Sequence, residues 1–254
     1  MKIILILFPI SDNSWSSMKH VPNFITSLNL AAGFAAIIFA LEGNLTTASW
    51  LVFAAMIFDF LDGFSARLLK AYSPMGKELD SLADIVSFGV APAVIIYRLL
   101  CTVSDVTITD TVGILQLIVL LSPVIMPVCA GLRLAKFNND ETQKTSFKGL
   151  PTPANALAVI SIIIAGEYSD AGLITYLTGS AAALIIFTVV LSALMVTRIP
   201  MLSLKFAHLK LRGNEGRYLL VALVIIAFAI LGISAAPLII PIYIIVSLIS
   251  LIFK

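Results

Sequence analysis

The chain is a succession of long apolar runs separated by short polar stretches. The runs fall near residues 21–41, 48–69, 79–100, 111–134, 154–166, 174–196, 218–233 and 238–253. Most approach the roughly 20 residues that an α-helix needs to cross the hydrocarbon layer of a bilayer. They are continuous rather than alternating and mix Ala, Leu and Gly, which predicts helices and makes strands unlikely. The pattern therefore predicts an all-α polytopic membrane bundle of about eight transmembrane helices. The fifth run is the shortest, and Pro153 sits at its start. No internal repeat of the kind found in paired transporter halves is visible. The runs divide into an N-terminal cytoplasmic or interfacial segment (1–20), a core of six transmembrane helices (21–217) and two C-terminal transmembrane helices (218–254).

Composition sharpens this reading. Of 254 residues, 60% are hydrophobic and only 12% charged, about half the charged share of a soluble domain. A cytosolic enzyme, a secreted disulfide scaffold and a disordered chain are excluded. Cys101 and Cys129 lie within or beside apolar runs without metal-ligand spacing and are expected to pack as small apolar residues. Residues 1–8 look like a truncated signal sequence, but one positive charge and no small-x-small site favour an interfacial segment or a start codon upstream of the natural one at Met18.

The net charge of +2 matters less than where the cations fall. With the first span starting in the cytoplasm, every Lys and Arg except Arg98 lies on the inner side. The outer segments hold Glu42, Asp105, Asp110, Glu167 and Asp170. This bias places both termini in the cytoplasm. His20 and His208 read as interfacial residues.

Charges within spans are expensive, so their placement is informative. The inner end of the second run carries Asp59, Asp62 and Arg67, and the start of the third carries Asp80 and Asp84. Spacings of three and four put each acidic pair on one helix face. The two helices are joined by residues 70–77, with Pro74 and Gly76, so four carboxylates can meet at one depth. Arg67 alone does not balance them, whereas hard divalent cations with oxygen ligands would. Gly63 and Ala66 on the same segment leave room for a ligand to approach the backbone. A cation pathway is the rival reading, but it needs ionisable groups throughout the bilayer depth, and the spans carry almost none beyond this cluster.

The pattern Asp59-x2-Asp62-Gly63-x2-Ala66-Arg67-x8-Gly76-x3-Asp80-x3-Asp84 resembles, without a departure, the signature of the CDP-alcohol phosphotransferases. The resemblance implies that family's helical membrane fold. It implies two divalent metals, Mg²⁺ or Mn²⁺, held by Asp59, Asp62, Asp80 and Asp84, with Asp84 as catalytic base. Asn23, Thr26, Asp59, Gly63, Ala66, Arg67 and Ser73 would contact CDP-diacylglycerol, Asn23 and Thr26 as the family's Asn-x-x-Thr. Three further stretches resemble the membrane-integral phosphatidylserine synthases of this family: residues 20–30, the Arg133-Leu134-Ala135-Lys136-Phe137-Asn138 segment, which has Lys136 where Arg is commoner, and residues 147–154 (Phe-Lys-Gly-Leu-Pro-Thr-Pro-Ala). That likeness implies L-serine as acceptor. Arg133, Asn138 and Lys148, in a donor-rich loop over 133–153, are the candidates to hold it. Another acceptor, glycerol 3-phosphate or inositol phosphate, would call for an added cluster of cations, and an ion-coupled transporter is the alternative outside the enzyme class. A homodimer embedded in membrane lipid, without nucleic acid, is expected.

Overall fold

The computed structural model describes residues 20–139, 147–169, 172–202 and 214–252. They form α1 (Val21–Leu41), α2 (Leu45–Leu68), α3 (Pro74–Asp84), a π turn (Ile85–Val90) and α4 (Ala91–Ser104). Then come α5 (Ile114–Leu121), α6 (Ile125–Asn139), β1 (Phe147–Lys148), α7 (Thr152–Tyr168), α8 (Gly172–Gly179) and α9 (Ala181–Val196). After β2 (Pro200–Met201) the chain ends in α10 (Glu215–Leu231) and α11 (Ile239–Ile252).

Among the described residues, four helical stretches, 21–41, 74–104, 114–139 and 215–250, are long and apolar enough to cross a membrane. The last of these is a hairpin. Gly232 breaks it at φ +58, and a methyl placed on Gly216 would stand 3.3 Å from the Ser250 Cβ, so α10 and α11 run antiparallel. The 24-residue α2 spans a similar height but carries the acidic pair. Large side chains such as Phe24, Phe34, Ile186 and Ile230 are more than half exposed, as a lipid-facing surface requires and a water-facing one would not tolerate.

Small residues let the helices approach closely. The buried stripe of α1 is Pro22, Thr26, Asn29, Gly33, Ala36 and Ala40, and Ala48, Val52 and Ala55 form the buried apolar positions of α2. A side chain at Gly33 would collide with Ser87. Helix α7 is buried on nearly every side from Ala158 to Ala165, which makes it the central helix of the bundle.

Local chemistry moves several boundaries from where hydropathy put them. The third span begins at Pro74, not near Leu79: Ser73 caps it by accepting the Gly76 N–H at 2.9 Å, and Pro74 suits the first helical turn. Pro74 and Gly76 therefore belong to α3 rather than to the linker. Arg133 and Asn138 lie on α6, which continues to Asn139, so the donor-rich loop over 133–153 is helical in its first part. The run at 174–196 is not one straight span. It bends by 90° between α8 and α9, because Ser180 is extended and caps α9 through the Ala183 N–H at 3.4 Å. A two-residue antiparallel pairing also exists, Phe147 opposite Met201 and Lys148 opposite Pro200, tying the segment before α7 to the segment after α9.

The π turn has a visible cause. Pro92 has no N–H to donate to the Phe88 carbonyl one turn back, which disrupts the α ladder there. That carbonyl instead accepts from Asn155 Nδ2 of α7 at 3.3 Å. Gly89 lets α6 close in: a methyl placed on it would meet Ala130 at 3.1 Å and Pro127 at 3.3 Å.

Candidate active site

Helices α2 and α3 meet at their adjoining ends and bring the acidic pairs together. One oxygen from each of Asp59, Asp62 and Asp80 lies within 4.8 Å of the others. Ligands of a single hard cation, bound at about 2.0–2.6 Å, stand at such separations. Asp84 is the fourth carboxylate, within hydrogen-bonding reach of Asp59. It is 8% exposed, and its Oδ1 is buried without a hydrogen-bond partner among the described residues. Asp62, at 5% exposure, accepts a 2.6 Å hydrogen bond from the Thr26 hydroxyl, so α1 fixes one wall of the cluster. Oxygen-only ligands, crowded like charges and an orphaned carboxylate oxygen are what a divalent-metal site provides. These residues fit such ions.

Beside the cluster lies a cavity of about 350 Å³ lined by Asn23, Thr26, Asp62, Gly63, Ala66, Arg67, Ser73, Gly76 and Asp80, among others. All the expected diphosphate-lipid contacts except Asp59 line it. Gly63 faces open space: among the described residues, no heavy atom beyond its own stretch of helix lies within 4 Å of where its Cβ would be. Gly76 is different: a Cβ there would stand 2.9 Å from Asn23 Oδ1 and 3.0 Å from Ser73 Oγ. The glycine allows α3 to dock against the start of α1.

A second cavity, of about 670 Å³, opens between α6, β1 and the end of α9. Arg133, Lys136, Lys148, Thr197 and Arg198 are among its lining residues. Arg133 is 8% exposed and lies in electrostatic range of Asp84. Its Nη1 donates to Thr152 at 3.5 Å and its guanidinium sits 6.0 Å from the Phe137 ring centroid, while Nε is buried without a hydrogen-bond partner among the described residues. Arg133 thus stands between the carboxylates and this cavity. Asn138 lies apart from the cavity lining. Its side-chain amide donates to Ser81 Oγ at 2.9 Å and its backbone carbonyl accepts from Lys77 Nζ at 3.1 Å, binding the end of α6 to α3. Gly149, at φ +79, packs where a Cβ would meet the Met195 carbonyl at 2.5 Å, so this position of the 147–154 stretch serves the fold. Cys101 and Cys129 are free and buried. His20 precedes α1, whereas His208, Lys144 and the segment before residue 20 lie outside the described residues.

Comparison with known proteins agrees with this geometry. Residues 19–194 match the model of the CDP-alcohol phosphatidyltransferase family. The chain belongs to that family. Members are generally metal-dependent, in keeping with the aspartate cluster. The chain is 40% identical over 192 residues to the CDP-diacylglycerol–serine O-phosphatidyltransferase of Mycobacterium leprae, covering 73% of this chain and 59% of that protein. It is 34% identical to the Bacillus subtilis protein of the same name over 78% of this chain and 96% of that one. A Helicobacter pylori protein, also of that name, is 31% identical over 91% of both chains. The family match stops before α10 and α11, and residues such as Tyr243, Asn29 and Asn155 gave no signal in the sequence beyond being polar positions in apolar surroundings.

Proposed function

We propose that this chain transfers the phosphatidyl group of CDP-diacylglycerol to L-serine, giving phosphatidylserine and CMP. The observation that carries the reading is Arg133. It is buried, it lies in electrostatic range of Asp84, and it lines a cavity separate from the one bordered by the family signature. A donor lipid in the first cavity and an amino acid in the second would meet at the carboxylates. Three relatives with serine as the named acceptor support the same choice.

In this mechanism Asp84 takes the proton from the serine hydroxyl as that oxygen attacks the phosphorus carrying diacylglycerol. The bond from this phosphorus to the CMP oxygen breaks, and CMP leaves in line with the attack. Thr26 orients Asp62, and Asp59 links the two acidic helices. Asp59, Asp62, Asp80 and Asp84 would hold two divalent ions, Mg²⁺ or Mn²⁺, whose contribution is to offset the charge of the diphosphate and of departing CMP. Arg133 and Lys148 take the serine carboxylate, the planar guanidinium offering two parallel donors, and Asn138 supports the helix end that carries Arg133. Arg67 and the backbone at Gly63 receive the cytidylate side. Lys and Arg placement supports a site and both termini at the cytoplasmic face, where acyl chains stay in lipid while the headgroup and serine come from water. The active unit is a homodimer in this reading.

One observation favours a second acceptor class. Lys136 and Arg198 line the same cavity as Arg133 and Lys148, and such a cation cluster suits the phosphate of glycerol 3-phosphate or inositol phosphate. Purified protein in lipid, given CDP-diacylglycerol, divalent metal and each alcohol in turn, decides between them when the lipid product is weighed by mass spectrometry. Phosphatidylserine as the main product supports the reading; a lipid product carrying a second phosphate overturns it.

A further inference from the structure

The hairpin α10–α11 lies beyond the family match at residues 19–194, yet it is hydrogen-bonded to the segment that follows β2. On α11, Tyr243 and Ser247 are one turn apart on the buried face, at 5% and 0% exposure. Together they grip both backbone groups of Leu202. The Tyr243 hydroxyl donates to the Leu202 carbonyl at 3.0 Å, and the Leu202 N–H donates to Ser247 Oγ at 3.1 Å. Ser247 in turn donates to the Tyr243 carbonyl at 2.7 Å.

Leu202 directly follows β2, whose Pro200 lies opposite Lys148. The Gly149 N–H adds a 2.8 Å bond to the Ile199 carbonyl. The grip on Leu202 is thereby passed to the strand that carries Lys148. The same tyrosine lies in electrostatic range of Arg133, whose nearer partners are a 3.5 Å bond to Thr152 and the face of Phe137. Lys148, one of the two cations assigned to the acceptor carboxylate, is thus braced from α11 by two side chains that share one backbone residue.

We propose that Tyr243 and Ser247 are positioning residues for acceptor recognition: the C-terminal hairpin holds the strand that carries Lys148 and so tunes the enzyme for a small amino-acid carboxylate. The inference rests on the serine reading given above. It makes the hairpin part of substrate selection and not only a membrane anchor.

Steady-state kinetics of the full-length protein in lipid tests it, varying serine and CDP-diacylglycerol separately. Tyr243→Phe keeps the ring and removes one neutral hydrogen bond, so the serine KM is expected to rise roughly three- to tenfold. The CDP-diacylglycerol KM and kcat should stay within twofold. Ser247→Ala should act the same way, and the double variant should fall short of the product of the two effects, because both act through Leu202. Ile225→Ala, on the lipid-facing side of α10 at 61% exposure, should change neither constant. A serine KM within twofold of the parent in both variants overturns the proposal, as does an equal rise in both substrates' KM, with or without a lowered thermal midpoint. Parent protein that makes no phosphatidylserine refutes the serine reading itself; parent protein that does, with variants that leave the serine KM unmoved, refutes only the role of the hairpin.

Discussion

Replacing Gly63 with alanine pulls stability and activity in opposite directions. Gly63 lies inside α2 and lines the cavity bordered by Arg67 and Asp80. Among the described residues, no heavy atom beyond its own stretch of helix stands within 4 Å of where its Cβ would go. The protein therefore has no packing reason for glycine here, and alanine should stabilise the helix by up to about 1 kcal/mol. If the cytidylate approaches the backbone at this point, the added methyl occupies ligand space. Overpacking costs about 1–3 kcal/mol, which corresponds to a fivefold to hundredfold rise in the KM for CDP-diacylglycerol. Thermal unfolding in detergent and kinetics in mixed micelles read the two effects independently. A variant with unchanged or raised thermal midpoint and a KM within twofold of the parent would refute the idea that the bare backbone serves the ligand. Gly76→Ala is the contrasting case. Its methyl would meet Asn23 and Ser73 at 2.9 and 3.0 Å, so the loss should appear in stability as well as in activity.

Asp80→Asn removes one ligand charge from the carboxylate cluster and should leave less than about a tenth of parental turnover at saturating metal with the fold intact; circular dichroism and CMP release measure the two, and retained turnover would count against a shared metal site. In a background lacking Cys101 and Cys129, a cysteine at Met75, which is 71% exposed, should react with an impermeant reagent only from the cytoplasmic side, and one at Asp110 only from outside; the reverse labelling would invert the orientation. Gly149→Ala forces a side chain at φ +79 against the Met195 carbonyl and should cost more than about 1 kcal/mol, seen as a lowered thermal midpoint; an unchanged midpoint would mean that the 147–150 turn adapts freely.

The sequence carried the spans and the acidic faces because both follow from periodicity. Asp59 with Asp62, and Asp80 with Asp84, need only helical spacing to share a face, and the short α2–α3 connection brings the faces together. What hydropathy did not resolve was punctuation by single hydrogen bonds. Gly179 and Ser180 turn the chain through 90° at a place where apolar residues continue on either side. Arg133 looked like the start of a loop, yet α6 carries it inward until it is almost covered. The Leu202 clamp was illegible for another reason: it joins residues more than 40 positions apart, and neither Tyr243 nor Ser247 disturbs the apolar pattern of α11.

The widened turn at Ile85–Val90 makes the span from Pro74 to Ser104 a splice of two registers. A π turn takes up one residue more than an α turn of the same height, and one residue is about 100° of rotation about the axis. Before the splice, Asp80 and Asp84 face the other carboxylates; after it, Ile95, Ile96 and Leu100 face the core. A single deletion within 85–90 would remove the extra residue and leave one of those two halves pointing the wrong way. Length changes in this span can survive only when they come as compensating pairs around Pro92, so it should tolerate substitution along its lipid face far better than any net change in residue number.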